Sequence, residues 1–295
     1  MATAREIHRH MKGVGNIGKI TKAMKMVAAA RLRRAQEKAA ASRPYALKIK
    51  EVLSNVVSDP SVLSGLNPKK HPLLQKRAVK KVGYLVVCSD KGLAGAYSSN
   101  ALKKAVAEIS ECEDDVVIIA SGRKARDFFI RRGYKVLSYH IGFSDRPAYT
   151  NAADIAADAA AHFADEHFDE LHIVYTIFKT ALSQTPASEI ILPVEPPAKE
   201  EGKAKAKASF IFEPEEDEIL EELAPKYLET VIYAALVQSA ASELGSRMTA
   251  MSSATDNAGK LVQNLQLSYN KARQAGITRE LNEIVGGVEA LKQSQ

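Results

Sequence analysis

Three glycines near the start of the chain have the spacing of a loop that binds dinucleotides. Gly13, Gly15 and Gly18 match the pattern G-x-G-x-x-G, which holds a pyrophosphate when a strand precedes it and a helix opens at it. The apolar residues before and after these glycines instead recur at steps of three and four, the period of a helix. The first acidic residue downstream, Glu37, follows no predicted strand. The pattern favours glycines inside a long helix, where each destabilises the helix by about 0.8–1 kcal/mol relative to alanine.

A second glycine-containing stretch, GLAGAYSSN at residues 92–100, suggests a phosphate-binding loop. It follows a predicted strand but lacks the G-K-[ST] ending that places a lysine on phosphate and a hydroxyl on magnesium. A tight turn between strand and helix is therefore favoured over a nucleotide site. The seven histidines and the two cysteines, Cys88 and Cys112, show no metal-ligand spacing and no disulfide framework, as in a reducing compartment. The sequence predicts no catalytic site, no cofactor and no metal ion.

The elements that carry these residues fall into three predicted parts. Residues 1–57 form a long helix that ends before Asp59-Pro60, a pair that disfavours helical continuation. Residues 77–213 form a central Rossmann-like open α/β domain, with a polar and repetitive linker at 195–209. Residues 214–295 contain a second long helix, which is expected to start near Pro225.

The central domain alternates strands with helices, which is typical of a parallel sheet covered on both faces. The expected strands are 82–89, 116–120, 134–138, 171–178 and 189–193, with helices at 98–112, 123–132 and 150–167. One more short edge strand is expected at 210–214.

The C-terminal helix carries the most informative pattern in the sequence. Its apolar and small residues alternate steps of three and four over many turns, which predicts the seam of a left-handed coiled coil. These residues are Ala234, Val237, Ala241, Leu244, Met248, Met251, Thr255, Ala258, Val262, Leu265, Tyr269, Ala272 and Gly276. The N-terminal helix, where Ile17, Ile20, Met24 and Val27 repeat at the same steps, is the obvious partner within the chain. The fold class is therefore α/β with long helices, in which the two ends of the chain form an antiparallel coiled coil.

Small residues in the seam allow two helix axes to approach closely. Gly13, Gly15 and Gly18 are expected to serve that purpose in the N-terminal helix. Near the C-terminus the seam shifts by one position, to Ile277, Leu281, Ile284, Val288 and Leu291. This stretch, whose residues 281–291 we call the tip, is expected to run beyond the shorter N-terminal helix and to need an apolar receptor outside the chain.

Charge is distributed unevenly between the two long helices. Residues 1–50 contain thirteen lysines and arginines against two glutamates. Such a basic amphipathic start is typical of a transit peptide, a nucleic-acid-binding arm or a helix that meets an acidic partner. The charges after residue 227, Glu243 and Arg247 among them, are balanced and expected on a polar outer face. No stretch has the roughly 18–20 apolar residues of a membrane span.

Two long motifs at opposite ends of the chain resemble those of the F-type ATP synthase gamma subunit family. They are KITKAMKMVAAARLRRAQ at 19–36 and MSSATDNAGKLVQNLQLSYNKARQAGITRELNEIVGG at 251–287, and VGYLVVCSDKGLAGAYSSN at 82–100 resembles the family's first strand and turn. The resemblance covers essentially the whole chain. The sequence departs from the family pattern at the three N-terminal glycines, where polar residues are usual.

The resemblance implies a rotor without bond chemistry of its own, present in one copy per complex. Its terminal helices would turn inside the ring of alpha and beta subunits, with the α/β domain near the epsilon subunit and the membrane c ring. Ion flow through the c ring would then drive the beta subunits through different nucleotide affinities. The residues that the resemblance assigns to the beta subunit are Met24, Lys25, Arg273, Gln274 and Thr278, and those it assigns to an apolar bearing are Leu281, Ile284, Val285, Val288 and Leu291.

The family motif begins around Ala4, so the basic start is expected to be part of the shaft and not a transit peptide. This favours a bacterial protein on the cytoplasmic face of the plasma membrane, held there only through its complex. The alternative is a basic coiled-coil protein that binds nucleic acid through its N-terminal face. The uncharged polar face of the C-terminal helix argues against that alternative. The coupling ion and the number of c subunits stay open at this point.

Overall fold

The computed structural model describes residues 3–56, 70–194 and 216–293. These residues form five α-helices, one short 3-10 turn (Pro72–Leu74) and one sheet. The elements in chain order are α1 (Ala4–Val56), β1 (Lys81–Val87), α2 (Tyr97–Glu111), β2 (Asp115–Ser121), α3 (Arg123–Arg131), β3 (Lys135–His140), α4 (Tyr149–Ala164), β4 (Glu170–Phe178), β5 (Gln184–Leu192) and α5 (Glu216–Gln293). The predicted fold class is confirmed. The linker at 195–209 and the edge strand at 210–214 lie outside the described residues.

The sheet has five strands in the order β3-β2-β1-β4-β5. The first four strands are mutually parallel, as predicted, and β5 runs antiparallel to β4. Only residues 179–183 connect β4 to β5, which is too short for the crossover that a parallel pair needs.

The chain divides into two compact units. Unit 1 comprises Met1–Val27 and Met248–Gln295, and unit 2 comprises Ala28–Arg247. The three-part division at 1–57, 77–213 and 214–295 stays a prediction.

Unit 2 has a hydrophobic core on each face of its sheet. In β1, Tyr84 and Val86 face α2 and α3, whereas Leu85 and Val87 face α4 and the parts of α1 and α5 that belong to this unit. All four side chains are buried. This two-sided burial explains the continuous apolar run in β1, because a strand covered on both faces has no polar side.

Helix α5 begins at Glu216, so the predicted start near Pro225 was wrong. The turns before the proline are helical because they bury apolar side chains, with Leu220 and Ala224 packed in the core of unit 2. At the start of α4, the backbone N–H of Ala148 donates to Asn151 Oδ1 at 2.9 Å, which satisfies one backbone donor at this helix end.

Candidate functional site

Unit 1 contains the paired ends of the chain, which carry every predicted partner-binding residue. Residue numbers fall along α5 as they rise along α1, so the two helices are antiparallel, as predicted. The contacts that show this are His8 with Tyr269 (ring centroids 5.4 Å apart), Thr21 Oγ1 with Thr255 Oγ1 (2.8 Å), and Lys25 Nζ donating to Ser252 Oγ (2.9 Å).

The seam predicted for α5 is confirmed within unit 1. Met251 and Ala258 are buried, and the other seam positions of this unit are partly buried, whereas most of the residues between positions 251 and 276 are exposed. These partly buried positions are Met248, Thr255, Val262, Leu265, Tyr269, Ala272 and Gly276. On α1, Val14 and Thr21 are the buried positions of this unit.

Gly18 alone of the three N-terminal glycines serves close helix packing. A Cβ added to Gly18 would lie 3.3 Å from the Ala258 Cβ, whereas one added to Gly13 or Gly15 would meet no atom within 4 Å. The prediction was therefore right for Gly18 and wrong for Gly13 and Gly15, since only a glycine in the seam faces the other helix. All three lie inside α1, so the dinucleotide interpretation fails, as the helical period indicated.

Part of the apolar pattern in α1 does not face α5. Ile17, Ile20 and Val27 are 56%, 58% and 51% exposed. Their helical period is real, but they form a second stripe that is open to solvent in unit 1. The sequence pattern alone did not distinguish this stripe from the seam.

The last part of α5 has no residues of α1 opposite it. Thr21 on α1 lies opposite Thr255 on α5. The same antiparallel register places Ala4, where α1 begins, opposite Ala272. Arg273, Gln274 and Thr278 follow that point and are exposed. The structure thus brings these three predicted contact residues together on one free segment of helix.

The tip is apolar and exposed. Leu281, Ile284, Val285 and Val288 are 55%, 64%, 65% and 48% exposed. The side chain of Leu291 lies outside the described residues. Four large apolar side chains within about two turns, open to solvent, are typical of a surface that another protein covers.

Met24 and Lys25 lie in a different part of unit 1. Lys25 contacts Ser252, which is roughly six helical turns, about 30 Å, from Arg273 along α5. Met24 is partly buried and Lys25 is exposed. The predicted contact residues therefore form two separate groups.

In unit 2, Glu243 and Arg247 form a buried ion pair and not the exposed charges predicted. Arg247 Nη2 lies 2.7 Å from Glu243 Oε1, and the two side chains are 9% and 1% exposed. Burial raises the pKa of the Glu243 carboxyl, and the guanidinium of Arg247 limits that rise. Arg247 Nη2 also donates to Gly92 O at 3.2 Å. The i,i+4 spacing of two opposite charges among small and apolar residues was the sequence signal for this pair.

The described residues contain no group of three or more histidine, cysteine, aspartate or glutamate side chains placed to hold a metal ion. Within the same ranges, no helix has both the length and the apolar character that crossing a membrane requires. Residues 92–96 form the tight turn between β1 and α2 that was predicted for them.

A family model described as ATP synthase matches residues 3–291. The chain is 48% identical to the ATP synthase gamma chain of Brevibacillus brevis over 289 residues, which cover 97% of this chain and 98% of the relative. It is 43% identical to the ATP synthase gamma chain of Desulfitobacterium hafniense over 292 residues, covering 99% and 100% of the two chains.

Solved structures with a similar fold come from mitochondrial ATP synthases. A chain of the Euglena gracilis enzyme in its OSCP/F1/c-ring part has a TM-score of 0.65 at 21% identity, covering 98% of this chain and 94% of that one. A chain of the Tetrahymena thermophila central stalk and c ring has a TM-score of 0.61 at 24% identity, covering 80% and 99%. At these identities the likeness concerns the fold.

Proposed function

The chain belongs to the ATP synthase gamma chain family, and we propose that it is the central-stalk rotor subunit of an F-type ATP synthase. In this role it couples ion-driven rotation of the membrane c ring to ATP synthesis, or to hydrolysis, at the beta subunits. It supplies no catalytic group, and one copy serves each complex. Its partners are the alpha, beta and epsilon subunits and the c ring, through which it is held at the cytoplasmic face of a bacterial plasma membrane.

One observation supports this role above the others: the exposed apolar tip that follows the paired part of α5. Exposed Leu281, Ile284, Val285 and Val288 favour burial in an apolar sleeve, since water is a poor solvent for them. Because dispersion contacts have no preferred direction about the helix axis, such a sleeve holds the tip in place while allowing it to turn. Leu291 extends the same apolar pattern.

The two groups of polar contact residues fit a role in torque transfer. Lys25 offers an exposed ammonium to an acidic beta-subunit loop, with Met24 beside it. Arg273, Gln274 and Thr278 offer hydrogen-bond donors on the segment before the tip. Exposed charge-assisted contacts of this kind are individually weak, which allows them to form and break at successive rotor angles.

The proposal is tested by ATP hydrolysis with purified alpha and beta subunits, with and without this chain. We expect a stable complex and strongly increased turnover when the chain is present. Failure to assemble while the chain stays folded would contradict the rotor role. Duplex DNA binding by the chain with steep salt dependence would then favour the nucleic-acid alternative.

Charge reversal at Arg273 tests the torque contacts in the assembled enzyme. We expect Arg273→Glu to lower ion-driven ATP synthesis, because a carboxylate replaces the donor that meets the beta subunit. Lys260→Glu, an exposed reversal in the paired part of α5, is the matched control and should have a smaller effect. Unchanged synthesis in the assembled Arg273→Glu enzyme would contradict the assignment.

A further inference from the structure

Unit 2 contains a cavity that the rotor function does not use. It measures about 480 Å³ and lies at the carboxyl ends of β1 and β2, between the loop after β1, the first turns of α2 and one side of α3. Cavities that bind small molecules have volumes of roughly 300–1,000 Å³. Its polar side chains are Ser89, Lys91, Ser98, Ser99, Lys124, Arg131 and Arg132, with no carboxylate among the lining residues.

Helix α3 and the residue after it contribute three cations to the cavity. Lys124, Phe128 and Arg131 follow one another at steps of four and three, which places them on the same side of the helix, and Arg132 lies directly after its last residue. The Arg132 guanidinium lies 3.8 Å from the centre of the Phe128 ring, and Arg131 Nε donates to the carbonyl of Asp127 at 2.9 Å. These contacts orient both guanidinium groups and leave the Nη atoms of Arg131 available for an anion.

The loop and helix on the opposite side supply neutral donors. Helix α2 starts at Tyr97, so the backbone amides of its first turn, those of Ser98 and Ser99 among them, lack partners within the helix. Ser98 Oγ lies 2.6 Å from Ser89 Oγ. Free amides at a helix N-terminus, hydroxyls and nearby cations together form a typical phosphate site.

The loop that closes this cavity is held in an unusual conformation. Leu93 has φ 63, and its side chain is 64% exposed at the cavity. A large residue with positive φ persists only where its surroundings fix it, and such residues cluster at ligand sites. Here α5 fixes the loop, because Ser246 Oγ donates to Ala94 O at 2.7 Å and Arg247 Nη2 donates to Gly92 O at 3.2 Å.

Two carboxylates near the cavity, those of Asp145 and Asp127, each pair with an arginine that does not line it. Lys91 Nζ lies 3.4 Å from Asp145 Oδ2, a carboxylate that also binds Arg31. Asp127 pairs with Arg126 at 2.8 Å. Within the described residues Lys124 and Arg132 form no ion pair.

We propose that this cavity binds a phosphate-bearing small molecule of the size of a mononucleotide. The phosphate is held by the first amides of α2 together with Lys124 and Arg131. The remainder of the ligand lies against Phe128 and the exposed side chain of Leu93. Because α3 supplies the cations, the loop does not need the lysine whose absence argued against a phosphate site in the sequence.

Isothermal titration of the full-length chain with ADP, and separately with pyrophosphate, tests the proposal. We expect saturable binding of one ADP per chain, and weaker binding of pyrophosphate because it lacks the part that contacts Phe128. Lys124→Gln and Arg131→Gln should each weaken ADP binding about tenfold, the value of one charge-assisted contact. Lys103→Gln removes the same charge from an exposed site on α2 outside the cavity and should leave the Kd unchanged.

Three results would overturn the proposal. They are the absence of saturable ADP binding, equal weakening by Lys103→Gln, and displacement of ADP by a glutamate-rich peptide at the concentration at which pyrophosphate displaces it. The last result would assign the cavity to an acidic protein segment instead. None of them bears on rotation, so this test and that of the rotor function fail independently.

Discussion

The two compact units bury their apolar side chains to different degrees. In unit 2, side chains as large as Phe129 and Phe163 are fully buried between the sheet and its helices. In the described part of unit 1 only four residues are buried, while Leu267 and Ile284 are 63% and 64% exposed. A unit that covers its own core buries its apolar side chains without a partner, whereas one that leaves apolar surface open gains stability when a partner covers it. The comparison separates a unit with a closed apolar core from a unit with apolar surface open to solvent.

The largest expected effect is the loss of a core side chain from unit 2. Phe163→Ala should lower the free energy of unfolding by about 3–5 kcal/mol, because it leaves a cavity beside Phe168 and removes the ring that Arg77 covers. Leu267→Ala, at an exposed site in unit 1, should change it by less than about 0.5 kcal/mol. Urea denaturation of the isolated chain measures both variants. Equal destabilisation would remove the distinction between the units.

The buried ion pair of unit 2 provides the next effect. Arg247→Met should lower the free energy of unfolding by about 3 kcal/mol at pH 8, because it leaves the Glu243 carboxylate buried without its partner. The pKa of Glu243 is raised in the folded chain, so the folded state binds more protons than the unfolded state. Stability from this group is therefore largest at low pH and is lost as pH rises through the raised pKa. The cost of Arg247→Met should shrink at pH 5.

Denaturation at the two pH values measures this dependence. Lys260→Met, an exposed change on α5 in unit 1, serves as the control and should have little effect at either pH. A penalty for Arg247→Met that is the same at pH 5 and pH 8 would show that Glu243 does not titrate in this range.

A smaller effect of opposite pH dependence is expected at Asp158 in α4. Burial raises the pKa of this carboxyl, but hydrogen bonds from Ser138 and His140 outweigh burial, so the net pKa is lowered. A carboxyl whose pKa is lower in the folded chain than in the unfolded chain stabilises the fold when the pH is above the unfolded-state pKa. This stabilisation is lost as the pH falls through the folded-state pKa. Asp158→Asn should lower the free energy of unfolding by about 1 kcal/mol at pH 7 and should change it little near pH 3. Asp154→Asn, exposed on the same helix, should be neutral at both pH values, and a matching loss there would refute the local explanation.

The smallest effects are expected at the glycines of unit 1. Gly13→Ala should stabilise α1 by roughly 0.5–1 kcal/mol, because alanine favours a helix and its Cβ meets no atom. Gly18→Ala has the same helical gain but crowds the Ala258 Cβ, so its net effect should be smaller or reversed. Hydrogen exchange of the α1 amides compares the two variants. Equal protection in both would mean that Gly18 is not needed for close packing.

The fold was largely predictable because its signals are long and repetitive. The strand and helix alternation of unit 2 and the seam of α5 extend over many residues, so local errors average out. The wrong predictions concern which side chains are buried. Ile17 and Ile20 have the helical period of a seam but are exposed, whereas Glu243 and Arg247 are charged but buried. These outcomes depend on which neighbour each helix face meets, which periodicity alone does not contain.

The candidate site was predictable in part. The resemblance supplied the predicted contact residues, and the antiparallel register then placed Arg273 and the tip beyond the start of α1. The cavity beside α3 was not predictable, since three of its four cations come from residues 124–132 while its loop lies at 89–99. A search for a contiguous motif does not join such separated segments.

Observation of rotation tests the central claim most directly. A cysteine in place of Lys103, exposed on α2, carries a bead in a complex of this chain with immobilised alpha and beta subunits. We predict that adding ATP turns the bead continuously in one direction, and that deleting the tip shortens the runs. A bead that stays stationary while the same complex hydrolyses ATP would contradict the assignment of this chain as the rotor.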